Sequence, residues 1–145
     1  MGRYFKIAAL AVSALALTLI IMTGCSKNKP GNMNDGGSME KHFEYKQITQ
    51  EEAKKMMAKD DGHVVVDVRR QDEYDSGHIP GAILIPNETI GTASPRELPD
   101  HDQIILIYCR SGNRSKDAAQ KLAYMGYSQV FEFGGINDWT GEIEK

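Results

Sequence analysis

The sequence predicts an α/β fold, in which a central parallel sheet carries helices on both faces. Apolar runs at 64–66 and 104–108 are rich in β-branched residues, as in strands that are buried on both faces of a sheet. Such runs alternate with helical patterns over about 100 residues, which is typical of parallel sheets. Turn-forming residues separate the segments. Functional groups are therefore expected at the carboxyl ends of the strands.

The first helix is predicted to begin just after Thr49. Thr49 is a suitable N-cap, and Glu52 follows three residues later, as in a capping box. Ala53, Met56 and Met57 then form the buried side of the helix. Two neighbouring methionines also suit a metal or an interaction surface, but their helical spacing favours a place in the core.

Asp67 ends the strand at 64–66 and has two possible roles. It either orients an arginine of a nearby loop or caps the turn that follows, and the residues alone leave both open. A short helix is predicted over 71–76, and Gly77 stops it. A turn follows, in which His78 is expected to bond to the turn backbone rather than approach the active loop, and then a strand over 83–86.

The second half of the chain continues the alternation. Residues 87–100 are predicted to form a loop with at most a short helix, because prolines interrupt them. The strand at 104–108 and a helix over 116–125 come next. A further strand is predicted over 129–133, followed by a turn at Gly134 and Gly135. A final helix is expected to begin at Ile136 and to dock Trp139.

Cys109 lies at the carboxyl end of a predicted strand, in a short loop that leads into a helix. The first N–H groups of a helix have no partner within it, so they are free to bind an anion. Gly112 and Asn113 tolerate the left-handed backbone that such a loop needs. Arg110 and Arg114 add positive charge. These features favour the thiolate and predict a pKa below about 8.5; the alternative is a small buried apolar side chain.

Three kinds of thiolate chemistry suit a cysteine in this position. A dithiol oxidoreductase needs a second nearby cysteine, and position 112 is glycine. A cysteine phosphatase needs a seven-residue loop that ends in arginine, but here Arg114 comes one residue early and Ser115 is seventh. The shorter loop suits a smaller group, namely one sulfur atom held as a persulfide.

The N-terminal residues have the pattern of a targeting segment. Residues 7–22 carry no charge, follow two basic residues and end in Met22-Thr23-Gly24-Cys25, which resembles a bacterial lipobox. We therefore predict a lipoprotein-type signal peptide over 1–24, a lipid-anchored flexible tether over 25–43 and the folded domain over 44–145. Lipidation of Cys25 would anchor the protein on the extracytoplasmic face of a membrane. An uncleaved anchor helix is the alternative.

Charge and cysteine content limit the partners. Cleavage before Cys25 takes the formal net charge from −3 to −5, because it removes Arg3 and Lys6 and no acid. An acidic domain with no basic cluster away from Cys109 argues against nucleic acid. Only two cysteines are present, so no disulfide framework is expected. The four histidines lack paired ligand spacing, so we expect no metal. We also expect no cofactor, and a monomer.

Four separated motifs carry a resemblance to a known family. They are Val66-Asp67-Val68-Arg69 with Glu73-Tyr74, the segment 77–82, the segment 108–115, and the segment 134–139. In this order they resemble the single-domain rhodaneses of the thiosulfate sulfurtransferase family, over about residues 45 to 139. Each motif alone is weak, but the four together are specific.

The resemblance implies a double-displacement reaction. Cys109 would take the outer sulfur of thiosulfate as a persulfide and pass it to cyanide or a thiol. The anion would be held by the backbone N–H groups of Arg110, Ser111, Gly112, Asn113, Arg114 and Ser115. Arg110 and Arg114 would bind substrate, Asp67 would support the loop by contacting it, and Arg69 and Glu73 would form structural pairs. The alternatives are a non-catalytic rhodanese-like binding module and a persulfide carrier whose donor is not thiosulfate.

Overall fold

The computed structural model describes residues 42–145. The predicted signal peptide, Cys25 and nearly all of the predicted tether lie outside the described residues, so the anchor stays a prediction. Within the described residues, no helix has the length and apolar character needed to cross a membrane.

Five parallel strands form one sheet in the order β1-β5-β4-β2-β3. The strands are β1 Lys46–Gln47, β2 Val64–Asp67, β3 Ile83–Leu84, β4 Ile104–Cys109 and β5 Gln129–Gly135. The predicted parallel sheet is confirmed. The strand β4 lies at its centre because its side chains are apolar on both faces. Cys109 and Asp67 are therefore the last residues of neighbouring strands, at the carboxyl-terminal end of the sheet.

Helices cover both faces of the sheet, as predicted. They are α1 Gln50–Met57, α2 Gln71–Asp75 and α3 Asn113–Tyr124, with single 3-10 turns at Asn87–Thr89 and Ile136–Asp138. Alternate side chains of β4 point to opposite faces. On one face Ile105 and Ile107 share an apolar cluster with Leu122 of α3. On the other, Leu106 shares a cluster with Ala53 of α1.

The sequence predicted the start of α1 correctly but placed the start of α3 too late. The capping box of Thr49 and Glu52 is present, since the Thr49 hydroxyl accepts from the Glu52 N–H at 3.2 Å and the Glu52 carboxylate accepts from the Thr49 N–H at 2.8 Å. The helix α3 begins at Asn113, three residues before the predicted start at 116. The left-handed backbone of Gly112 (φ +94°) directs the chain into the helix at once, so the last three residues of the predicted loop, 113–115, are helical.

The prediction for 134–139 was wrong in two respects. Gly134 and Gly135 do not form a turn but complete β5, where Gly135 pairs with Cys109 across a bulge. No helix follows Ile136, because Trp139 adopts an extended backbone after one 3-10 turn. The Trp139 indole N–H donates to the carbonyl of Glu142 at 3.1 Å, and the ring packs on Phe133. Trp139 thus docks as expected, but without a helix.

Candidate active site

The loop after β4 brings backbone donors to the sulfur of Cys109. The Gly112 N–H donates to Cys109 Sγ at 3.1 Å. Burial alone would raise the pKa of Cys109, but hydrogen bonds from the Ser115 hydroxyl and from the N–H groups of Ser115, Ser111 and Gly112 outweigh it and lower the pKa. The direction is the one that the sequence predicts. These hydrogen bonds are the largest causes of the lowered pKa, and the charge of Arg114 also favours the thiolate.

Cys109 is more covered than a reactive loop cysteine usually is. It is 1 % exposed and belongs to the apolar cluster between the sheet and α3. Cys109 is therefore a buried small side chain and also receives hydrogen bonds that favour its thiolate, although the sequence presented these as alternatives. Only a small reagent, or one admitted by movement of the loop side chains, reaches the sulfur.

The end of β5 holds the loop in place. A Cβ atom on Gly135 would lie 2.6 Å from the Ser111 Cα and would overlap the Arg110 carbonyl, so only glycine permits this approach. The Asn137 N–H donates to the Arg110 carbonyl at 3.2 Å. The Gln50 side-chain amide donates to the Gly135 carbonyl at 2.8 Å. The sequence motif at 134–139 therefore supports the loop from behind, a role that the sequence analysis did not assign.

Arg114 is engaged by a carboxylate. Its guanidinium donates two hydrogen bonds to Glu73, at 2.7 and 2.9 Å. The Arg114 hydrogen bond is the main reason why the pKa of Glu73 falls to about 2, with burial opposing it. Glu73 is a structural partner, as the resemblance implied, but its partner is an arginine expected to bind substrate. Arg114 therefore links α3 to α2 across the entrance of the loop.

Arg110 is the loop arginine whose side chain is unengaged. Its guanidinium is exposed and makes no hydrogen bond or ion pair within residues 42–145. It lines a cleft of about 430 Å³ together with Glu73 and Asn137. Of the two arginines predicted to bind substrate, Arg110 is thus the one with its donors available.

Asp67 caps its own strand end and forms its hydrogen bonds with Arg69 rather than with the loop. Its carboxylate accepts from the Arg69 N–H at 2.9 Å and from the Arg69 guanidinium at 2.6 Å. It makes no hydrogen bond or ion pair to residues 109–115, which are all described. The implied support of the active-site loop by Asp67 therefore has no hydrogen bond behind it and stays a prediction. A bidentate arginine two residues away satisfies the carboxylate, so none of its capacity is left for a loop arginine.

His78 has the structural role expected of it. Its ring stacks on Tyr74 with centroids 3.7 Å apart, and its Nδ1 lies 3.1 Å from the Tyr74 carbonyl. Its backbone pairs with Glu144 near the C-terminus. Among residues 42–145, no three histidine, cysteine or acidic side chains are grouped as metal ligands would be.

Glu132 is a buried residue near the site that was not predicted from the sequence. This residue interrupts an apolar strand, and strand alternation places it on the same face as Val130, toward α3. It is 2 % exposed, and its carboxylate accepts from the Ser115 hydroxyl at 2.6 Å. A charged residue at a buried strand position was the signal that would have identified it.

We expect the Cys109 thiol to ionise at a lower pH than an ordinary cysteine. Below its pKa the thiol is neutral, so reactivity should rise as the pH increases through a midpoint lower than about 8.5. Titration of thiolate ultraviolet absorbance and of iodoacetamide alkylation measures this midpoint. The Cys25→Ser variant isolates the signal, because the chain has only two cysteines. A midpoint at or above that of free cysteine would show that burial outweighs the donors.

The fold and the loop define a class of protein, a parallel α/β domain with a donor-ringed cysteine at the end of its central strand. The chain belongs to the rhodanese-like domain family, whose model matches residues 49–142.

Two curated relatives are informative. Over 101 residues the chain is 37% identical to YrkF of Bacillus subtilis (strain 168), which is provisionally named a sulfur carrier protein; the match covers 68% of this chain and 52% of YrkF. The chain thus spans only about half the length of that relative. Over 73 residues it is 34% identical to the thiosulfate sulfurtransferase PspE of Escherichia coli (strain K12), covering 50% of this chain and 70% of PspE.

Solved structures agree on the fold. A rhodanese-like domain protein from Staphylococcus aureus is 34% identical with a TM-score of 0.58, and the match covers 68% of this chain and 96% of that one. A rhodanese with anions from Escherichia coli is 31% identical with a TM-score of 0.53, and the match covers 57% of this chain and 98% of that one.

Proposed function

We propose that this protein is a sulfurtransferase, which takes a sulfane sulfur from thiosulfate onto Cys109 and passes it to cyanide or a thiol. The observation that carries the proposal is the hydrogen bond from the Gly112 N–H to Cys109 Sγ, at the start of a helix and within a set of donors that lowers the pKa of Cys109. Membership of the rhodanese-like family and the name of the PspE relative support the same reaction.

The proposed reaction consists of two displacements at sulfur. The Cys109 thiolate attacks the outer sulfur of thiosulfate, and the sulfur–sulfur bond of thiosulfate breaks as sulfite leaves with the electron pair. Cys109 is then a persulfide. Cyanide or a thiolate attacks the terminal sulfur, and the Cys109 thiolate leaves. No outside oxidant or reductant is needed, and backbone N–H groups stabilise the anion at both steps.

Arg110 is the proposed contact for thiosulfate. Its guanidinium is free to bind the anion, whereas Arg114 is occupied by Glu73. We expect Arg110→Ala to raise the KM for thiosulfate about tenfold with a smaller change in kcat, because it removes ground-state binding. Steady-state assays of sulfite release measure this. Arg96→Ala removes an exposed arginine elsewhere and should leave KM unchanged; equal KM values for all three proteins would refute the role of Arg110.

Intact mass spectrometry tests the proposed function directly. Incubation with thiosulfate should add the mass of one sulfur atom to the protein, and cyanide should remove it with formation of thiocyanate. Peptide mapping should place the added sulfur on Cys109. A protein that gains no sulfur from thiosulfate and releases no sulfite would contradict the proposal.

A persulfide carrier is the second candidate, favoured by the name of the YrkF relative and by the single unengaged arginine at the loop. A carrier of this kind accepts sulfur from another persulfide and not from thiosulfate. The same mass experiment with a low-molecular-weight persulfide separates the two candidates. A non-catalytic binding module would gain sulfur from neither donor.

We also propose that Cys25 is lipidated and that the lipid anchors the domain on the extracytoplasmic face of a membrane. The support is the sequence of 22–25 after an uncharged run. We expect Cys25→Ala to leave the protein unlipidated and to alter its migration in electrophoresis and its membrane fraction. Identical behaviour of variant and wild type in both measurements would refute lipidation.

A further inference from the structure

One carboxylate occupies the donors that Arg114 would offer to an anion. Glu73 Oε2 accepts from Arg114 Nη1 at 2.7 Å, and Glu73 Oε1 accepts from Arg114 Nη2 at 2.9 Å. The side chain of Arg114 is 30 % exposed and that of Glu73 is 14 % exposed. A guanidinium binds two oxygens of a small oxyanion in the same two-point geometry. Glu73 therefore lies where an anionic sulfur donor would bind Arg114.

Arg114 acts on the proposed nucleophile through its charge. It belongs to the first turn of α3, and its guanidinium is attracted to the sulfur of Cys109. Cys109 itself is 1 % exposed. A reagent that reaches the sulfur therefore comes under the influence of the same guanidinium. Whether Glu73 holds Arg114 then decides how strongly an anionic reagent is bound.

A second cation lies beside Glu73. Glu73 Oε2 is 3.7 Å from Arg70 Nε and accepts from the Arg70 N–H at 3.3 Å. The Arg70 guanidinium is exposed and also lies 3.5 Å from the carboxylate of Asp72. When another anion binds Arg114, the Glu73 carboxylate keeps both the N–H and the charge of Arg70 as partners. Release of Arg114 therefore leaves no carboxylate unpaired.

Protonation of Glu73 does not release Arg114 near neutral pH. The hydrogen bond from Arg114 is the main cause that lowers the pKa of Glu73 to about 2, so the carboxylate stays charged. Only another anion competes for the guanidinium. A donor with charged oxygens replaces the carboxylate, whereas an uncharged donor has nothing to exchange for it.

We propose that Glu73 determines the specificity of the site for its sulfur donor, because it holds Arg114 until a donor with anionic oxygens replaces it. The inference rests on the proposed function only in taking Cys109 as the nucleophile. Thiosulfate is a dianion, so it competes with the single charge of Glu73, and the released carboxylate turns to Arg70. An uncharged persulfide leaves the pair of Glu73 and Arg114 intact. The exchange makes and breaks no covalent bond.

The test compares two alkylating reagents of different charge in the full-length Cys25→Ser background, where Cys109 is the remaining cysteine. Iodoacetate is an anion and iodoacetamide is neutral, and the thiolate displaces iodide from both. The ratio of the two rates therefore cancels any change in the thiolate fraction. Glu73→Gln removes the charged partner and frees Arg114, so the rate with iodoacetate relative to iodoacetamide should rise about tenfold. Mass spectrometry of the alkylated protein measures both rates.

Two controls separate the release of Arg114 from a general change in charge. Asp72→Asn removes an exposed carboxylate that pairs with Arg70, and the ratio should change less than about twofold because solvent and salt screen this charge. In an Arg114→Ala background no guanidinium is left to be freed. There, Glu73→Gln should change the ratio no more than Asp72→Asn does.

Three results would overturn the proposal. They are a ratio that is unchanged or lower in Glu73→Gln, an equal rise in Asp72→Asn, and an equal rise in the absence of Arg114. If Glu73→Gln does not fold, Glu73→Asp provides a second test, since it keeps the charge but is one methylene too short for both contacts with Arg114. The ratio should still rise, and no rise would contradict the proposal. Because alkylation needs no sulfur donor, failure of the proposed sulfur transfer remains distinguishable.

Discussion

Cys109→Ser should abolish sulfur transfer, lowering kcat for sulfite release by at least about a thousandfold. The serine hydroxyl fits the same space and keeps the loop donors, but it stays protonated at neutral pH and forms no persulfide. The change therefore removes the covalent step and leaves the fold and the anion-binding loop intact. Sulfite release from thiosulfate in the presence of cyanide measures the loss.

The other cysteine provides the matched control for this prediction. Cys25→Ser changes the same atom at a position outside the proposed domain and should retain full turnover. Thermal melting of both variants separates loss of chemistry from loss of fold. A Cys109→Ser protein that still turns over, or a Cys25→Ser protein that does not, would remove the proposed mechanism.

The sequence could predict those parts of the site that depend on neighbours along the chain. The apolar runs at 64–66 and 104–108 identified two of the three inner strands, β2 and β4, because strands buried on both faces are mostly apolar. The Thr49 capping box is formed entirely within one helical turn. The position of Cys109 at a strand end could be predicted because Cys109 directly follows the apolar run at 104–108.

Pairings between distant segments could not be predicted in this way. Arg114 selects Glu73, 41 residues earlier, and Ser115 selects Glu132, 17 residues later. Both choices depend on which elements the sheet order brings together, and that order is a property of the whole fold. The burial of Cys109 has the same origin, since α3, β4 and β5 together cover the sulfur. The sequence shows that the loop contains two arginines, but only the fold determines that Arg114 binds Glu73 and that the side chain of Arg110 has no such partner among the described residues.

Asp67→Ala should produce the largest loss of stability among the site residues, about 3–5 kcal/mol in the free energy of unfolding. Asp67 is 0 % exposed and Arg69 is 5 % exposed, so both charges of the pair are buried. Burial disfavours the charged guanidinium, but the hydrogen bonds to Asp67 more than compensate and raise the pKa of Arg69. Removing the carboxylate leaves a buried cation, whose other hydrogen bond goes to the Gly77 carbonyl at 2.8 Å.

Urea denaturation of matched variants measures this loss. Asp72→Ala removes a neighbouring exposed carboxylate that pairs with Arg70 and should cost less than about 1 kcal/mol. The double variant Asp67→Ala/Arg69→Leu removes both charges and should recover part of the lost stability, because the cost comes from the unpaired cation rather than from the missing attraction. If Asp67→Ala loses no more stability than Asp72→Ala, the buried ion pair does not stabilise this end of the sheet. The strand end beside Cys109 would then be held by Tyr108, whose hydroxyl accepts from the Ile79 N–H at 3.1 Å.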